Sequence, residues 1–92
     1  MEYFGTRWLQ NDDSDPVVLW HELSKDRLEL RKVHEFRDGT RERTDRIEPD
    51  KRTSLSWAEV PPLDAIQSQP EFEVFVLTAD EFEAAWSSAQ DA

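Results

Sequence analysis

The stretch that decides the fold is Glu71–Trp86, EFEVFVLTADEFEAAW. Its first half is short, β-branched and aromatic, the composition of a strand. Its second half changes period. Thr78 and Glu81 stand at capping-box spacing, and Leu77 and Phe82 are placed to act as the accompanying hydrophobic staple. Phe82, Ala85, Trp86 and Ala89 then recur at i, i+3, i+4 and i+7, one apolar stripe on a helix. Asp80 and Glu81 suit the positive end of the helix dipole. A strand running straight into an amphipathic helix predicts a sheet with that helix laid on it. Val74–Leu77 is apolar at both parities, which predicts a central position for this strand.

Working back toward the N-terminus, four more strands are expected. Glu2–Gln10 is the first, stopped by NDDSDP. PVVLWHEL is the second, entered through Pro16, and SKDR is a turn. LELRKVHEFR is the third, and Thr40–Ile47 is a polar fourth. Pairing Leu23 with Leu28 sets Trp20 opposite Arg31 and Leu19 opposite Lys32. That register gathers Val17, Leu19, Leu23, Leu28, Leu30 and Phe36 on the core side and leaves Trp20 away from the helix. Asp38-Gly39 is the strongest hairpin signal. A two-residue loop there sets Lys32 against Asp45 but also Glu35 against Glu42, so a bulged loop is the alternative. Glu48–Ser56 reads as loop. Ser56 and Glu59 stand at capping-box spacing, with one helical turn at most before Pro61-Pro62. A second short turn is expected around Asp64–Ser68. The predicted architecture is a single α+β domain over 1–92. It has an antiparallel meander sheet of four to five strands with a C-terminal helix packed on one face.

Composition narrows the chemistry. In 92 residues, 37% are hydrophobic and 35% charged, yet ten are aromatic, which marks an ordered globule. Without cysteine there is no disulfide, thiolate zinc site or cysteine nucleophile. No apolar run is long enough for a membrane span, and acidic Glu2 replaces the basic start of a signal peptide, so a cytoplasmic location is expected. The formal net charge is −10, distributed unevenly. Residues 1–24 set one Arg against five acids, residues 25–52 ten Lys/Arg against eight acids, and residues 53–92 no base against eight acids. That balance argues against nucleic acid and for a basic protein partner.

No catalytic or metal-binding pattern emerges, and no cofactor is expected. Lys25 stands where a metalloprotease helix starting at His21-Glu22 would carry its second His. His21 and His34 share a strand face without an adjacent acid, which reads as core-margin imidazoles with local hydrogen bonds. Glu71 and Glu73 share a strand face, and like the other carboxylates they read as solvated surface. Two glycines cannot make a phosphate loop. The basic stripe of LRKVHEFRDGT (Leu30–Thr40) is interleaved with acids, which predicts a solvated face with an internal salt-bridge ladder. The tryptophans are the better lead. Trp86 and Trp8 are expected in the core. Trp20, stacked on Arg31, and Trp57, beside two prolines, are either interface anchors or members of a second buried cluster. Trp20, Arg31, Trp57, Glu71 and Glu73 are therefore the candidate protein-binding residues.

The segments EYFGTRWL, RKVHEFRDG and QPEFEVFVLTADEFEAAW together resemble a family of small acidic bacterial proteins classed as a domain of unknown function. The resemblance covers most of the chain and assigns no catalytic residue. Small acidic domains of this type look like immunity proteins, which implies neutralisation of a cognate toxin. Three functions follow as expectations. The first is a non-enzymatic, immunity-like or inhibitor-like binder of a basic partner such as a nuclease toxin. The second is a nucleic-acid mimic that uses the carboxylates of Glu71–Asp91, and the third a small enzyme using His21 or His34.

Overall fold

The computed structural model describes residues 1–92. One six-stranded sheet runs in the order β5-β1-β2-β3-β4-β6. Its strands are β1 (Glu2–Trp8), β2 (Val18–Leu23), β3 (Glu29–Glu35), β4 (Arg41–Thr44), β5 (Phe72–Val76) and β6 (Gln90–Asp91). The first four form an antiparallel meander, β5 adds antiparallel to β1, and β6 pairs parallel with β4. The sheet is therefore mixed, not purely antiparallel. The sixth strand has only two residues, too few to show a period. Two helices, α1 (Leu63–Gln67) and α2 (Ala79–Ser87), complete the fold.

The capping box forms as the spacing predicts. Thr78 accepts from the Glu81 N–H at 3.1 Å, and Glu81 accepts from the Thr78 N–H at 2.8 Å. Phe82, Ala85 and Ala89 are buried with Val33, and Tyr3, Trp20 and Trp86 pack around them. Trp20 thus lies under the helix, not away from it. Glu22 and Arg31 share this face, but they neutralise one another, so a charged pair occupies a side that simple hydrophobic counting rejects. Trp86 is only half-buried, flanked by the guanidiniums of Arg31 and Arg43, each 4.9 Å from its ring centroid. Trp8 is likewise half-buried, 5.8 Å from Phe72.

β5 is an edge strand, not a central one. Its apolar residues face other cover. Phe72 packs on Trp8, and Phe75 lies across Gly5, where a Cβ would come within 2.2 Å of its ring. Gln67 of α1 takes the Val74 N–H at 2.7 Å, which blunts the free edge.

The β2–β3 register also differs. Trp20 faces Val33 and Leu19 faces His34, two residues from the expected pairing. One residue of the offset arises in the turn, where Arg27 takes φ +62° and Leu23 comes to face Glu29, and the other at a bulge at Leu30, opposite Glu22/Leu23. At the Asp38-Gly39 hairpin the bulged alternative is the one formed. Gly39 adopts φ +89°, and Lys32 faces Thr44 instead of Asp45. No helical turn forms at Ser56–Glu59.

The sheet face opposite α2 is covered by the long connection 45–62. Thr53 and Leu55 turn inward and are buried, over a surface containing Phe4, His21, Leu23 and His34.

Candidate functional site

The connection 45–62 has little secondary structure, yet it is firmly held. Leu55 N–H donates to the Arg46 carbonyl at 3.0 Å, and Glu48 N–H to Ser54 Oγ at 2.7 Å. Thr53 Oγ1 donates to Glu42 at 2.9 Å, and the Arg52 guanidinium grips the same carboxylate. Arg27 ties the far end, with Nε 2.9 Å from the Val60 carbonyl.

Beneath the loop lies a buried polar clamp. Glu29 accepts from Lys32 Nζ at 2.9 Å and from His21 Nδ1 at 3.1 Å, and its other oxygen accepts from the Ser56 N–H at 2.7 Å. Lys32 also donates to the Ser54 carbonyl at 3.0 Å. Side chains three apart on a regular strand point to opposite faces; the bulge at Leu30 is what lets Glu29 and Lys32 meet. His21 therefore has an adjacent acid, contrary to the reading of the strand pattern. Burial opposes ionisation of Glu29, but the His21 hydrogen bond and the Lys32 ammonium outweigh it and bring its pKa down to about 2. Burial lowers the His21 pKa despite the bond to Glu29.

His34 departs from expectation in the other direction. It is 6% exposed and neither ring nitrogen has a hydrogen-bond partner. Burial, then the Lys32 ammonium, pushes its pKa down to about 3. Phe36 stands edge-on at 6.3 Å. No group of three or more His, Asp or Glu residues is placed to hold a metal ion.

The five candidate binding residues separate. Trp57 is 78% exposed, projecting from the clamped loop beside an open depression of about 310 Å³ shared with Ile47, Pro49 and Leu55. Ile47 is 47% exposed and was not among the sequence candidates; the signal was one isolated branched side chain in a polar run. Trp20 is half-buried under α2, with Arg41, not Arg31, stacked on it at 4.7 Å. Arg31 bridges Glu22 of β2 and Glu83 of α2 and lies 5.0 Å from the Phe82 centroid. Glu71 is partly covered at the start of β5 and Glu73 is exposed on it. Trp57 and the glutamates thus occupy different regions.

The mixed stripe is an internal ladder. Arg31–Glu22, Arg41–Glu35, Arg43–Asp91 and Arg52–Glu42 are all paired. Of the cations, only Arg7 and Lys25 form no ion pair, and Arg7 lies over Phe75 instead. Carboxylates without an ion-pair partner include Asp50 and Glu59 on the connection, Asp64 on α1, Glu71 and Glu73 at β5, and Asp80 on α2. What the molecule offers outward is negative.

A small mixed α+β domain with buried polar groups and an exposed indole is the class these features define. Within it, the chain belongs to the domain of unknown function DUF6881, whose family model matches residues 2–91. No curated protein and no solved structure matches the chain. No helix is long and apolar enough to cross a membrane.

Proposed function

We propose that this domain acts in the bacterial cytoplasm as a non-enzymatic, immunity-like or inhibitor-like protein that docks a basic partner such as a nuclease toxin, with Trp57 as its anchor. The observation that carries the reading is the exposure of Trp57 on a loop whose backbone is fixed from beneath. A rigidly presented indole loses little entropy on binding and has the chemistry of an interface hot spot. Unpaired Asp50 and Glu59 flank the loop and would speed encounter with a basic surface. The alternatives have less support. Glu83 and Asp91 are each engaged by an arginine, and the other carboxylates of Glu71–Asp91 divide between a strand and a helix, which weakens the phosphate-row reading. His21 is committed to Glu29, and His34 is enclosed, which gives an acid–base role little room.

The test is binding to the product of the adjacent gene by titration calorimetry. Trp57→Ala should weaken binding at least tenfold with unchanged melting temperature, and raising salt from 50 to 300 mM should weaken it as well. Affinity indifferent to both changes overturns the proposal.

A further inference from the structure

α2 packs chiefly against β2 and β3, meets β1 through Tyr3 on Phe82, and leaves the helix-side surface of β5 open. On this side lies a shallow groove of about 420 Å³ lined by Trp20, Phe75, Leu77 and Ala84, with Arg41 and Glu81 as its charged members. Its floor depends on Gly5: any larger residue there would lift the Phe75 ring off β1. The adjoining edge is open at one place. Alternation turns the backbones of Phe72, Val74 and Val76 away from β1. Phe72 N–H reaches the Gln69 carbonyl and Val74 N–H reaches Gln67, but no such cover lies over Val76, which is 76% exposed.

We infer that this groove is a second docking surface, for an extended basic segment of a partner protein that carries an apolar side chain between lysines or arginines. The apolar side chain fills the space between the Phe75 ring and helix residue Ala84, and the segment's backbone bridges Val76 in the manner of strand addition. Its cations meet Glu81 on the lining and Glu73, two residues from Phe75 on the same strand face; the cations already there are Arg7, which lies over Phe75, and Arg41, which is held by Glu35. The inference rests on the reading of the domain as a binder of basic proteins but uses a surface remote in sequence from Trp57.

The test titrates the isotope-labelled full chain with acetyl-Lys-Leu-Lys-Val-Lys-amide, followed by amide chemical shifts. Saturable shifts at Phe75, Val76, Leu77 and Ala84 are expected. Ala84→Gln, which fills the groove, and Glu73→Lys, which reverses its rim, should each weaken binding at least fivefold, whereas Trp57→Ala leaves it unchanged. Absence of shifts at millimolar peptide, or equal binding of the counterpart with Glu for Lys, overturns the inference. Shifts confined to Ile47, Leu55 and Trp57 overturn it too while leaving the Trp57 reading standing.

Discussion

The two faces of the sheet are closed by opposite means. On one side α2 seals an apolar cluster around Phe82 and Val33, with arginine planes over its edges. On the other, an irregular connection is anchored by ionised and hydrogen-bonded groups, several of them buried. Packing on the helix side is non-directional and tolerates exchange among apolar residues of similar size. The clamp is directional, so removal of one member strands another in a poorly solvated place. The first arrangement supplies stability. The second holds a loop in one shape, as an exposed Trp57 requires.

The largest expected effect lies on the helix side. Phe82 is fully buried, and Phe82→Ala should lower unfolding free energy by about 3–5 kcal/mol in urea denaturation. Trp86→Ala should lower it less, because that ring already meets solvent and guanidinium groups. Equal losses would break the contrast between enclosed core and its charged margin.

On the loop side, Glu29→Ala leaves the Ser56 N–H and His21 Nδ1 without their acceptor and the Lys32 ammonium without its counter-charge, held only by the Ser54 carbonyl. A loss of about 3 kcal/mol is expected, toward the lower end for breaking a buried ion pair. Hydrogen exchange should quicken over 53–57 before it does in α2. Exchange that quickens uniformly would show that the clamp serves the whole fold instead of the loop.

The two faces were also unequally legible. Thr78, Glu81, Phe82 and Ala85 announce α2 because capping and a 3.6-residue period are local properties. The meander of β1–β4 and the short α1 were visible for the same reason. The strand order was not, since Phe72–Leu77 looks alike whether its two faces meet other strands or, as here, Trp8, α1 and a glycine. A turn one residue longer than expected put Glu29 on the face of His21, and one extra residue at Leu30 kept Lys32 there; nothing local distinguishes that leucine from an ordinary core one. Among the candidate binding residues, Trp57 was recognisable by type, but its exposure depends on Thr53 and Leu55 taking the inward places. Trp20 was assigned to the wrong side because the apolar count overlooked that Glu22 and Arg31 cancel.

Acid should act chiefly on the loop side. His34 titrates near 6.5 when unfolded and at about 3 when folded, so the unfolded chain binds the extra proton between those values. Its contribution is complete above pH 6.5 and declines as pH falls toward 3, by about 1.4 kcal/mol per pH unit at steepest. His21 shifts the same way, and Glu29, with a folded pKa of about 2, adds its own loss below about 4.5. The charges facing His34 are Lys32, His21 and Glu29, with Glu42 opposite on β4 and Arg52 of the connection over the neighbouring Phe36. Urea midpoints should fall from pH 7 to pH 4; a flat profile would contradict the burial of both imidazoles.

His34→Leu gives the smallest and most discriminating change. Both imidazole nitrogens are dehydrated without a partner, an arrangement that costs stability at neutral pH. An apolar side chain of similar reach removes that cost and keeps contact with Phe36, so a gain of about 1 kcal/mol at pH 7 is expected. The variant should also lose part of the acid slope, retaining the share due to His21 and Glu29. Destabilisation at pH 7 would mean that the ring's polarity is satisfied in solution, and the loop side would then resemble a fully connected network instead of a clamp with one member left over.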